Sequence, residues 1–268
     1  HYFADLVCDD AEARRIDKQL IPRWIEDNPP LAGAGWAPYT LSLRIVNWIK
    51  FALAGGELSQ VDLQSLATQL RAMEQTVENH LLGTHVLANV KALVFGGLFF
   101  EGAEAQRWLR TGLDWYAREV PEQILADGGH FERTPMYHSL ILEDLLDVRN
   151  AATCCADAMT ADQRALVDSW TDTINRMRFW LKTMCHPDGQ IALFNDSASG
   201  VAPSPEELET YCERLGFDEV PGPGPGLTLL AETGYARLAT GPATLIVDVG
   251  LVGPDYIPAH AHADTLSY

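Results

Sequence analysis

The stretch Val220-Pro-Gly-Pro-Gly-Pro-Gly226 separates two hydrophobic periods in this sequence. Its alternating Pro and Gly make a stiff linker by composition. Beyond it, Tyr235-Ala-Arg-Leu-Ala239 and Ala243-Thr-Leu-Ile-Val-Asp-Val249 alternate with period two, the pattern of antiparallel strands. A two-strand remnant is not an independently stable sheet, so these strands are expected to belong to a larger one.

Ahead of the linker the period is helical. Asp10–Glu26 carries Ile16, Leu20, Ile21, Trp24 and Ile25 at helical spacing and stops at Asn28-Pro-Pro. Leu41–Leu53 is richer in apolar residues and ends at Gly55-Gly56, and a third helix starts near Ser59 with Asp62 close behind. His85–Phe100 is apolar nearly all round, which marks a buried inner helix. Further periodic stretches cover Ala103–Val120, Pro135–Ala152, Ala161–Met184 and Pro205–Leu215. About eight helices of ordinary length result, read as successive antiparallel pairs wound around a centre. Two interruptions, Asp127-Gly-Gly-His-Phe-Glu132 and Asp188-Gly-Gln-Ile-Ala-Leu-Phe-Asn-Asp196, combine a turn signal with a short run of strand character.

Charge and composition narrow the function. With 19 Lys and Arg against 37 Asp and Glu, the formal charge is −18, which argues against a nucleic-acid partner. No apolar run approaches the ~20 residues of a membrane span. The five cysteines, Cys8, Cys154, Cys155, Cys185 and Cys212, form no even framework and read as small buried hydrophobes. No signal peptide is visible, and neither HYFADL at the start nor DTLSY at the end resembles a natural terminus.

Four motifs carry chemistry. Tyr256-Ile-Pro-Ala-His260-Ala-His262-Ala-Asp264 sets two imidazoles on one face of an extended segment, with Asp264 placed to orient one of them. Gly128-Gly-His130-Phe-Glu132-Arg133-Thr-Pro-Met-Tyr137-His138 puts Tyr137 in the first turn of a helix, where the dipole favours a phenolate over the usual phenol. The alternative is a half-buried aromatic with a capped hydroxyl. Glu78-Asn79-His80-Leu-Leu-Gly83-Thr84-His85 gathers polar residues ahead of an apolar helix, either as a site or as a capping network. Phe194-Asn195-Asp196-Ser197 is either a site or an Asx turn. Trp36, Tyr39 and Trp115, near loops or helix ends, are candidate sugar-stacking rings, whereas Trp48, Trp170 and Trp180 read as core.

These segments resemble the heparinase II/III family. HYFADL, PYTLSLRIVNWIKF, ENHLLGTHVLANVKALVFGGLFFEG, LADGGHFERTPMYHSLILEDLLD, IALFNDSASG and YIPAHAHADTLSY occur in family order over essentially the whole chain. The resemblance implies a mainly α fold: an (α/α) toroid over residues 1–219, the linker at 220–228, and the beginning of an antiparallel β-sandwich at 229–268, incomplete here. It implies a lyase that cleaves an acidic, uronic-acid-containing polysaccharide by β-elimination, in the periplasm or secreted.

The chemistry explains the residue types. Removing the C5 proton of a uronate requires a group that stabilises the enolate-like charge beside the carboxylate, and a tyrosine then acts as base and acid. By resemblance Tyr137 is that tyrosine, His260 and His85 assist it, and His262 is the first ligand of a structural zinc. Asn79, His80, Thr84, Glu132, His138, Asn195, Asp196 and Trp36 are the expected substrate contacts. Where many relatives have Gly-Asn-His, this sequence has Gly83-Thr84-His85. The carboxylate-binding amide is thus absent there, leaving Asn79, His80, His85 or Asn89 to take its role. Two other readings are a toroidal hydrolase using Glu132 and Asp196 as paired carboxylates, and a glycan-binding protein of exopolysaccharide assembly.

Overall fold

A computed structural model describes residues 1–81, 83–241, 243–253, 256 and 260–262. Helices α1 (Ala11–Asp27), α2 (Pro38–Leu53), α3 (Gln60–Gln75), α4 (Gly83–Phe99), α5 (Ala103–Gln123), α6 (Pro135–Cys154), α7 (Ala161–Asp168), α8 (Thr171–Thr183) and α9 (Pro205–Arg214) precede strands β1 (Gly226–Leu230), β2 (Tyr235–Thr240) and β3 (Ala243–Asp248). The fold is therefore mainly α with an antiparallel sheet at its end. The chain divides into two compact units, residues 1–116 with 154–163, and residues 117–153 with 164–268.

In the first unit the helix starts follow their caps. The Asp10 carboxylate accepts from the backbone N–H groups of Glu12 and Ala13, at 2.8 and 3.2 Å, and Ser59 with Asp62 forms a capping box on α3. Helix α4 is buried almost throughout, as its apolar surround predicts. It approaches α5 closely at Gly97, where a Cβ would come within 2.5 Å of the Leu109 backbone nitrogen, so only glycine fits. A cluster of Trp24, Trp36 and Trp48 closes this core, with the Arg44 guanidinium 3.8 Å over the Trp24 ring. Trp36 lies inside that cluster, 8% exposed, and its indole N–H donates to the Asn28 carbonyl at 3.3 Å. It is core and offers no face to a sugar, which corrects its expected role. The turn Ala34–Trp36 folds the ring inward instead of leaving it on a loop. Tyr39 is only half-buried.

In the second unit the one helix expected over Ala161–Met184 is broken between α7 and α8. The hydroxyls of Ser169 and Thr171 bond the carbonyls of Leu166 and Asp168 at 2.6 and 2.8 Å, and the Arg149 guanidinium donates to the Thr171 hydroxyl at 3.0 Å. Side chains thus take over carbonyls that a continuous helix would use.

The sheet runs β1-β2-β3, with Leu230 opposite Tyr235 and Tyr235 opposite Asp248. β1 starts at Gly226, inside the expected linker. One face places Leu230, Tyr235 and Ile246 against Trp180, Met184, Ala192 and Phe194. The other face carries the cross-strand row Leu227–Leu238–Leu245, all exposed.

Both sequence interruptions are turns closed by one β-bridge, Ile124 with His130 and Cys185 with Ile191. In each, an Asp side chain accepts from a backbone N–H two residues on, Asp127 from Gly129 and Asp188 from Gln190, both at 3.0 Å. Gly129 is pressed between Trp180 and Thr233, each 2.3 Å from where a Cβ would stand. Of the cysteines, Cys185 and Cys212 are buried as expected, but Cys154 is exposed, and all five are free thiols.

Candidate functional site

The second unit gathers Tyr137, Glu132, Asn195, Asp196 and His262 of the expected residues around the His260 imidazole. His260 Nδ1 lies 3.0 Å from Asp196 Oδ2, and its Nε2 lies 3.7 Å from Glu132 Oε2. The Tyr137 hydroxyl donates to the same Asp196 Oδ2 at 3.4 Å, and the Tyr137 and His260 rings lie 4.2 Å apart. Asp196 therefore joins the phenol to the imidazole. The Asn195 amide oxygen accepts from the His262 backbone N–H at 3.1 Å, which docks the His260–His262 segment on the turn.

Local structure explains these positions. Pro135 opens α6, so Tyr137 falls in its first turn. The Ser197 hydroxyl accepts from the Met136 N–H at 3.2 Å and satisfies one of the orphan donors of that turn. Arg133 and Asn195 both have left-handed backbones, with φ of 57° and 52°. Strain of this kind persists only where the surroundings over-determine it. Here the Arg133 carbonyl accepts from the Tyr235 hydroxyl at 2.6 Å and from the Asn195 amide at 3.0 Å. The Arg133 guanidinium reaches the carbonyls of Leu251 and Glu232. Asp127, through the backbone and hydroxyl of Thr233 at 2.8 and 2.9 Å, ties the Gly-Gly turn to the strands.

Electrostatics correct one expectation. The Tyr137 hydroxyl is pushed up to about 12, first by burial and then by the charges of Asp196 and Glu132. The helix start does not favour a phenolate here; burial together with the two carboxylates outweighs the dipole, and the resting group is a phenol. His138, an expected substrate contact, is buried with both nitrogens engaged. Its Nδ1 accepts from the His130 N–H at 3.2 Å, and its Nε2 lies 3.0 Å from the Met177 carbonyl. Stacked 4.3 Å from Trp180 and fully buried, it has no exposed face to offer a substrate, which corrects its expected role. Burial lowers His138 to about 3 and His130 to about 4, so both are neutral.

The first unit holds the remaining cluster. His85 Nδ1 lies 3.1 Å from Glu78 Oε2, and Tyr39 packs on the His85 ring at 4.8 Å. Asn79 and His80 are exposed beside it, and Thr84 is buried. Sequence reasoning missed Glu78 as the partner of His85, although it opens the quoted Glu78–His85 motif. It also missed Tyr235 and Arg133, whose roles depend on contacts about 100 residues apart in sequence. Among the described residues no group of three or more His, Cys, Asp or Glu could hold a metal ion. The described donors around His262 therefore do not make a zinc site; Asp264 lies outside the described residues.

Comparison with known proteins bears on the family and the fold. Residues 19–213 match the heparinase II/III N-terminus model, and residues 222–268 match the heparinase II/III-like C-terminal model. The chain belongs to the heparinase II/III family. A heparin-sulfate lyase from Bacteroides stercoris is 28% identical over 116 residues, 43% of this chain and 17% of that protein. One from Bacteroides thetaiotaomicron is 23% identical over 199 residues, 68% of this chain and 28% of that protein. Among solved structures, a heparinase III crystal structure superposes with TM-score 0.71 at 19% identity, covering 93% of this chain and 43% of that one. A heparan sulfate lyase from Pedobacter heparinus gives 0.59 at 18% identity, covering 98% and 44%. The fold is thus that of these lyases, while the chain spans less than half the length of each relative.

Proposed function

We propose that the protein is a polysaccharide lyase that cleaves an acidic, uronic-acid-containing glycan by β-elimination. The observation that carries this reading is the contact of Tyr137, Asp196 and His260 around one point. In this reading Tyr137 takes the C5 proton and returns a proton to the leaving oxygen, and Asp196 provides the immediate acceptor for the phenolic proton. His260 stabilises the charge that develops on the substrate. Glu132 and Asp196 fix that imidazole, and Asn195 holds the His262 backbone beside it. The relatives' names support a glycosaminoglycan of the heparin class as substrate.

The domain reading accompanies it: a helical toroid over 1–219, a linker at 220–228, and a β-sandwich beginning at 229. Its support is the uncovered apolar row Leu227–Leu238–Leu245, which suits a second sheet layer. A structural zinc at His262 would need ligands beyond the described donors, and no step of the mechanism uses it. Action in the periplasm or outside the cell suits a polymeric substrate. No helix among the described residues is long and apolar enough to cross a membrane.

The test is incubation with heparin, heparan sulfate and other uronate polymers, following ultraviolet absorbance. Elimination creates a conjugated double bond and absorbance rises. New reducing ends without absorbance would indicate hydrolysis by Glu132 and Asp196 and defeat the lyase reading.

A further inference from the structure

The Glu78–His85–Asn89 cluster of the first unit is built as a latch on one imidazole. The Asn89 amide oxygen accepts from the Glu78 backbone N–H at 2.9 Å, which fixes the amide's orientation. Its Nδ2 end is thereby turned to Glu78 Oε2, at 3.3 Å. That same oxygen lies 3.1 Å from His85 Nδ1. That oxygen already accepts from the Asn89 amide N–H, and facing the imidazole as an acceptor it leaves Nδ1–H as the donor of the contact. Glu78 and Asn89 are buried, whereas the His85 side chain is 37% exposed, and Tyr39 covers one side of its ring. Ring tilt and tautomer are both set, and among the described residues Nε2 has no hydrogen-bond partner.

We propose that Glu78, locked by Asn89, is a positioning residue that holds His85 as its Nδ1–H tautomer and presents Nε2 as a hydrogen-bond acceptor for a saccharide hydroxyl. A partner on the second nitrogen commonly decides which imidazole nitrogen serves a ligand. This gives the Thr84-containing motif a polar contact with a sugar hydroxyl, not with a carboxylate, because a bare imidazole nitrogen accepts a hydrogen bond and repels an anion. The choice of ligand rests on the glycan reading above; the tautomer does not.

The experiment separates the two. Long-range ¹H–¹⁵N spectra of the labelled protein, with His85 assigned by its loss in His85→Gln, report the tautomer without any substrate. The wild type should show Nδ1–H, and Glu78→Gln should move His85 toward the Nε2–H form, because a carboxamide can donate to Nδ1. A wild-type Nε2–H signal overturns the proposal whether or not the variant folds. With heparan sulfate, Glu78→Gln should raise KM roughly three- to tenfold, the loss of one neutral hydrogen bond, with kcat nearly unchanged. A shifted tautomer with unchanged KM would overturn the hydroxyl contact. A wild type inactive on every uronate polymer would instead overturn the lyase reading and leave the spectra standing.

Discussion

Lowering pH should destabilise the second unit through two buried histidines, and the size of the effect follows from the structure. His130 and His138 are held neutral, at about 4 and about 3, mainly by burial. In the unfolded chain each titrates near 6.5. A base whose folded pKa is depressed binds more protons when unfolded, so its stabilisation is complete above pH 6.5 and is lost as pH falls toward 4. At pH 5 each group is about 1.5 pH units below its unfolded value, or roughly 2 kcal/mol, and the pair loses about 4 kcal/mol. Against a typical total of about 5–15 kcal/mol, that loss is a large share of the stability. Urea denaturation between pH 7 and 5 measures it. Over that range the pair's loss averages about 2 kcal/mol per pH unit and steepens toward about 2.7 as the uptake on unfolding approaches two protons near pH 5; other groups add to it. His138→Gln should lower that average slope by about 1 kcal/mol per unit, whatever it does to stability at pH 7. A slope identical in wild type and variant would show that His138 does not enter the native state neutral and would refute the reasoning.

Tyr137→Phe should reduce lyase turnover on the order of 10²–10⁴-fold with an unchanged melting curve, since the ring stays and only a 3.4 Å hydrogen bond is lost; normal turnover would remove the tyrosine from the mechanism. Asp196→Asn should bring the Tyr137 hydroxyl down from about 12 without reaching 10, because burial is its first cause and Asp196 its second. A tyrosinate difference titration against Tyr137→Phe reads this, and an unchanged or higher value would contradict it. Tyr235→Phe should cost about 1 kcal/mol in denaturation, since the hydroxyl bonds the Arg133 carbonyl at 2.6 Å. It should also lower kcat by loosening the two left-handed residues beside the site; an effect on stability alone would limit Tyr235 to a structural role.

The helices were legible because their signals are local. Asp10, the Ser59–Asp62 box and Pro135 each start a helix within a residue or two of the expected place. The break at Ser169-Trp170 was not legible, because the apolar period continues through it and the deciding contact comes from Arg149, 22 residues from Thr171. β1 was hidden by its glycine, which reads as linker but pairs with Ala239. In the site, the types and rough grouping of Tyr137, Asp196 and His260 could be read from their motifs. Their burial could not, and burial is what separates Trp36 and His138 from the residues that can meet a substrate. A Trp near a turn and a His next to a catalytic candidate have the same sequence signature whether they face in or out.

The Tyr137 shift bears on how such a site would work. Proximity to a helix start is a weak lever on a phenol, and here one of the donors at that start is already engaged by Ser197. Burial first, and then the charges of Asp196 and Glu132, act the opposite way and keep it protonated. A resting phenol is poised as the acid toward the leaving oxygen, while the base role requires the proton to leave first. Asp196 Oδ2 touches both the Tyr137 hydroxyl and the His260 imidazole. In the proposed mechanism the phenolic proton therefore has a path through that carboxylate toward the imidazole, and the base is generated only as the substrate's C5 proton is taken. The same geometry accounts for the strained Asn195: its left-handed turn puts Asp196 between phenol and imidazole, and its amide anchors that turn to the Arg133 carbonyl.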